Sequence, residues 1–186
     1  YNTGPLSNIY SNTTALGNGA TPSASNQVRI GNSSVTSIGG YQGWTNISDI
    51  RYKQNIAEDV AGIEFVMGLR PITYNLNMEA IAEKLGENNT IDENGNRVKR
   101  EMSSEEITAR RKKSNKRKSG FSAQEVEELA NSLGYDFGGV DKPENEDSFY
   151  GLRYAEFVVP LVKAMQEQQE MIEELREEIV ELKRRQ

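Results

Sequence analysis

The chain has 186 residues, of which 35% are hydrophobic and 27% charged, with a net charge of −6. That length suits one ordinary domain or two small ones, and so thin an apolar content implies elongated or partner-dependent structure. With no cysteine and no histidine, disulfides, thiolate or imidazole metal sites and histidine-based triads are excluded, so a nucleophile must recruit Lys, Asp or Glu as its base. No signal peptide or membrane span is visible. The start at Tyr1, in mid-pattern, reads as the tail of a longer protein.

Residues 1–43 carry one charged side chain, Arg29. Short apolar groups alternate with Gly, Asn and Ser: Ala15-Leu16 before Gly17-Asn18-Gly19, Val28-Arg29-Ile30 before Gly31-Asn32, and Val35 to Ile38 before Gly39-Gly40. Two- and three-residue strands joined by turns fit β-roll or β-helix rungs. Such rungs cannot bury their apolar face alone, so stacking or trimerisation is implied. The other reading is a flexible linker, which the spacing of Val28, Ile30, Val35 and Ile38 disfavours. Residues 12–40 loosely resemble the head repeats of trimeric autotransporter adhesins and the rungs of phage tail fibres.

Next comes Trp44-Thr-Asn-Ile-Ser48-Asp49-Ile-Arg51-Tyr-Lys53. Residues 48–56 predict a short helix with Asp49 as N-cap. Ser48 then falls at N′ and Lys53 at N4, positions that meet across a helix start. A second helix is predicted over 59–69, with Ile63, Val66, Met67 and Leu69 as its apolar side, stopped by Pro71. Residues 72–76 alternate and predict a strand.

Residues 77–118 break the pattern. Turn signals stand at 88–90 and 93–96. Residues 97–118 hold ten of the 22 basic side chains. Nucleic-acid binding is one reading. A solvated helical insertion, with Glu105 and Glu106 balancing Arg110, is preferred, because no aromatic is interleaved for base stacking and the whole chain is acidic. Residues 119–122 then read as a strand entering a helix over 123–131, residues 134–147 as a loop, and Phe149–Arg153 as a last short strand.

From Leu161 the apolar spacing alternates four and three: Leu161, Met165, Gln168, Ile172, Leu175, Ile179 and Leu182. This predicts a coiled coil and so an oligomer; by local rules Ile at a with Leu at d leans towards two strands. Gln168 is a polar residue in the seam that can set register.

The chemistry centres on Ser48. A serine hydroxyl attacks only when a base takes its proton, and Lys53 is the nearest candidate. Lysine serves as a base only when uncharged, which requires desolvation. Trp44, Ile47, Ile50 and Tyr52 are the expected apolar shell, and backbone N–H groups at the helix start the expected oxyanion donors. The Ile47 carbonyl already adjoins Ser48, so tethering replaces substrate binding. On spacing alone, capping is the stronger reading of Ser48-Asp49.

Recognition shifts that balance. Ser48-Asp49-Ile-Arg51-Tyr-Lys53 resembles the Ser-Asp-x-Arg-x-Lys opening of the peptidase S74 family, the intramolecular chaperone domain of phage endosialidases and tail spikes. Membrane-bound myelin regulatory transcription factors carry a related domain. Gly68-Leu-Arg-Pro71-Ile-Thr-Tyr74, Gly120-Phe-Ser-Ala-Gln124-Glu125-Val126 and Tyr154 to Gln169 resemble further blocks in the same order. Ser122 departs from the apolar residue usual there, which weakens local packing. Residues 77–118 and 134–147 match nothing and look like insertions.

The resemblance implies an α+β architecture. Residues 1–47 would be the β-rich end of a fibre. Residues 48–153 would be the chaperone domain, with 77–118 as a charged insertion, and 154–186 the helix of a trimeric coiled coil. It implies an autocatalytic serine endopeptidase that cuts itself between Ile47 and Ser48, with Ser48 as nucleophile and Lys53 as general base. Asp49 and Arg51 would be motif support, Asp49 as cap and Arg51 pairing across subunits. A homotrimer is implied over the dimer that the seam suggests, with the upstream fibre of the same chain as client, and no cofactor, nucleic acid or membrane. A phage tail fibre or a bacterial surface would be the setting. A non-cleaving trimerisation cap is the alternative.

Overall fold

A computed structural model of the chain describes residues 10–185; the first nine residues of the expected stalk segment lie outside them. The chain gathers into two units. The first comprises residues up to Trp44, Thr73–Gly120 and Pro143–Phe149, and the second Thr45–Ile72, Phe121–Lys142 and Tyr150 onward.

The first unit opens with β1, Thr14–Leu16, and β2, Val28–Ile30. They pair in parallel with Thr14 opposite Val28 and Leu16 opposite Ile30, an offset of fourteen residues. The same offset governs their surroundings. Asn12 and Asn26 both take positive φ, and the amide of Asn12 donates to the Asn26 side-chain oxygen at 2.8 Å. Gly17 and Gly31 both take positive φ at the strand ends. The left-handed turns must stack, so Gly or Asn is needed at the same place in each rung. The segment returning to β2 is buried at Ala20, Pro22, Ser23 and Ala24, while Leu16, Val28 and Ile30 stay exposed.

Strand β3, Ile72–Tyr74, enters this unit at Thr73; it is shorter than the strand predicted over 72–76 and pairs with β6, Lys118–Gly120. Residues 77–118 are folded. Helix α2, Met78–Lys84, is capped by Asn77, whose side chain accepts from Ala80 N at 3.0 Å. Strands β4, Asn89–Ile91, and β5, Arg97–Lys99, form an antiparallel hairpin. Asp92 closes it by accepting from the amides of Asn94 and Asn96 at 2.9 and 2.8 Å. Helix α3, Ser104–Asn115, starts at a capping box in which Ser103 and Glu106 satisfy each other's backbone. The expected balance of Arg110 by Glu105 and Glu106 is corrected. Glu106 grips Arg100 at 2.8 and 2.9 Å, and Arg110 is buried with Asn88 and Glu87 at 2.6 and 3.3 Å. A guanidinium out of water needs such partners.

The second unit is built on α1, Ile63–Gly68, α4, Ala123–Ser132, and α5, Val158–Arg184, with a small antiparallel pair, β7, Val140–Asp141, and β8, Gly151–Leu152. Its core is aromatic: Phe65 meets Phe137, Tyr135 and Phe157 with ring centroids at 4.9, 5.4 and 6.4 Å, and Val126 and Ala130 close it. The helix predicted over 59–69 is only six residues long. Its buried anchor is Phe65, whereas Met67, assigned to the apolar side, is 77% exposed. Glu167 of α5 accepts from the Ile63 amide at 2.7 Å and so satisfies one of the free N–H groups that open α1.

Ser122, expected to weaken packing, is the N-cap of α4, its hydroxyl accepting from Glu125 N. Pro160 sits in the first turn of α5, where no helical N–H is lost, and is fully buried. Ala164 is buried, but Leu161 before it and Met165, Gln168, Ile172, Leu175, Ile179 and Leu182 after it are all exposed in the single chain. Among the described residues no helix is long and apolar enough to cross a membrane.

Candidate active site

The turn at Ser48 is tighter than the helix predicted over 48–56. A single 3-10 turn spans Ile50–Tyr52, and Lys53 leaves it in extended conformation. Asp49 caps it as expected, accepting from Arg51 N at 3.0 Å. The Tyr52 and Lys53 amides donate to the Asp49 and Ile50 carbonyls, both at 3.1 Å. Asn55, two residues past Lys53, takes positive φ.

That short turn folds the backbone back on itself between Ser48 and Lys53. The Lys53 Nζ donates to Ser48 Oγ at 3.0 Å, within the reach that general-base catalysis requires. Arg51 forks onto Asp49, with Nε 3.1 and 3.0 Å from the two carboxylate oxygens and Nη2 2.6 Å from Oδ2. Those bonds, followed by the one from the Arg51 amide, hold the Asp49 carboxyl below the usual carboxylate range. The anion beside Ser48 is thus engaged by Arg51, and the amine is the group in line with the hydroxyl.

The expected apolar shell is not formed within one chain. Exposure runs from 63% at Ile50 and 77% at Tyr52 to 91% at Trp44 and Ile47, and both Ser48 and Lys53 are exposed. Four large apolar side chains in open solvent around one turn are a surface that burial against another molecule would stabilise. Leu161, Met165, Gln168, Ile172, Leu175, Ile179 and Leu182 lie far from this turn in sequence, along α5.

A link that the sequence did not reveal joins two of the quoted blocks. Arg70, from Gly68-Leu-Arg-Pro71, donates through Nε to Glu125 at 3.1 Å, and its Nη2 makes a second bond to the same carboxylate. Glu125 therefore has a structural partner in Arg70. Among the described residues no three acidic side chains gather to hold a metal ion.

The peptidase S74 family model, described as the chaperone of endosialidase, matches residues 48–135. The match starts at Ser48 and takes in the blocks at 48–53, 68–74 and 120–126. Tyr154 to Gln169 falls beyond it. No curated protein and no solved structure matches the chain.

Proposed function

We propose, from the premise that the chain belongs to the peptidase S74 family through residues 48–135, that it is an intramolecular chaperone which trimerises, assists folding of the β-rich segment upstream, and cuts itself between Ile47 and Ser48. The chaperone role follows from the family. The cut is supported above all by one observation: Lys53 Nζ lies 3.0 Å from Ser48 Oγ, at the residue where the family match begins.

The reaction uses the chain's own groups. The uncharged Lys53 amine takes the hydroxyl proton, and Ser48 Oγ bonds to the Ile47 carbonyl carbon. The Ile47–Ser48 carbon–nitrogen bond then breaks as the Ser48 nitrogen takes the proton. An ester remains on Oγ. Water hydrolyses it, leaving a carboxylate on Ile47 and the restored hydroxyl on Ser48. The Arg51, Tyr52 and Lys53 amides are already bonded, so the developing oxyanion would fall to the amides of Asp49 and Ile50 that precede them. Assembly would shelter Lys53, with Ile47, Ile50 and Tyr52 buried between subunits and the seam from Leu161 to Leu182 closing into three strands.

The solvated position of Lys53 in the single chain favours a second reading, the non-cleaving trimeric cap. Denaturing gels and intact mass of freshly expressed protein decide between them. Cleavage yields a fragment beginning at Ser48, absent in Ser48→Ala and slowed about a hundredfold or more in Lys53→Ala. A wild-type chain that stays at 20.8 kDa refutes the cut.

A further inference from the structure

The first unit is assembled from both sides of the Ile47–Ser48 bond: the segment ending at Trp44 packs with Thr73–Gly120 and Pro143–Phe149. Its polar centre is Glu87, whose side chain is 5% exposed and pairs with the equally buried Arg110 at 3.3 Å. Glu87 accepts from the Ser33 amide at 2.9 Å and from the Ser33 hydroxyl. Lys113 Nζ donates to the Ser33 carbonyl at 3.1 Å. Every polar group of Ser33 is therefore held by charged side chains of the insertion.

The fourteen-residue offset makes this contact selective. The position of Ser33 in the second rung is Gly19 in the first, which has no hydroxyl to offer. Around the polar centre, Val28, Ile30 and Ile38 line a cleft with Leu76, Met78 and Ile81. The preceding rung is tied separately: Asn145 Nδ2 donates to the Ser23 carbonyl at 2.9 Å.

We propose that residues 77–118 are a latch for the second rung, keyed to Ser33 through Glu87 and Lys113, and that this latch keeps the N-terminal segment docked after the backbone is severed. Only the timing rests on the self-cleavage reading. Hydrogen bonds to charged, buried groups are among the stronger ones, and the latch makes several to one residue. The severed segment then leaves by dissociation, not at the moment of bond breakage.

The test uses Ser48→Ala, which cannot cut itself, with a site-specific protease sequence inserted after the exposed Gly40. After digestion the two pieces are expected to co-elute on gel filtration; pieces that separate at once overturn the latch, whatever the wild-type chain does at Ser48. Ser33→Ala and Glu87→Gln, each with an unchanged circular dichroism spectrum, should release the segment about ten- to a hundredfold faster. Ser34→Ala, which removes a buried hydroxyl with no hydrogen-bond partner, should release it at the parent rate. If Ser33→Ala and Ser34→Ala behave alike, the keying to Ser33 is wrong.

Discussion

Replacing Phe65 by alanine tests whether the second unit is organised as described. Phe65 is fully buried, with three aromatic rings within 6.4 Å. Truncating such a ring costs about 3–5 kcal/mol, combining the lost transfer energy with the cavity left behind. Total stabilities are about 5–15 kcal/mol. For a chain of this size each kcal/mol lowers the midpoint by about 2–4 °C, so Phe65→Ala should melt about 6–20 °C below wild type. Met67, two residues on and 77% exposed, should tolerate alanine within about 0.5 kcal/mol. Thermal melts of the three proteins at one concentration, followed by circular dichroism, give the comparison. A Met67→Ala shift equal to that of Phe65→Ala would refute this core and restore the helix face that sequence spacing suggests.

Two further outcomes follow from charge and from the exposed helix. The Glu106 carboxyl is held below its usual range, first by the hydrogen bonds from Arg100. A depressed folded value means the pair contributes stability above the unfolded value of about 4.3 and loses it as pH falls through the folded one. The wild-type advantage over Glu106→Gln in urea midpoint should therefore shrink from pH 7 towards pH 3; a constant gap contradicts the assignment. In α5, Ile172→Asp places a charge in the seam. On the trimeric reading, light scattering should report three chains for the wild type and one for Ile172→Asp at micromolar concentration; a wild-type monomer would remove that reading.

The parts legible in sequence were the local ones. Asp49 declares itself as a cap because it bonds to an amide two residues away, and Ser48 meets Lys53 because only one turn separates them. Phe65 was missed because a six-residue helix has too few turns for spacing to select a face. The rung offset escaped notice because its markers, Asn12 with Asn26 and Gly17 with Gly31, are chosen for backbone conformation, not for apolarity. Arg110 read as part of a solvated basic run because its partner Glu87 lies 23 residues earlier, beyond any helical spacing. The hairpin strands gave no alternation because most of their residues face water.

The stacking of Asn12 on Asn26 and of Gly17 on Gly31 limits how such a chain can lengthen. Adding or deleting a whole fourteen-residue period leaves every left-handed corner on an Asn or a Gly. An insertion of one or three residues just ahead of Val28 would instead bring Ile30 or Val28 into the corner of Gly31, which branched side chains resist. Length in this segment is therefore favoured in steps of fourteen, and variants of it that fold should differ from it by whole multiples of that period.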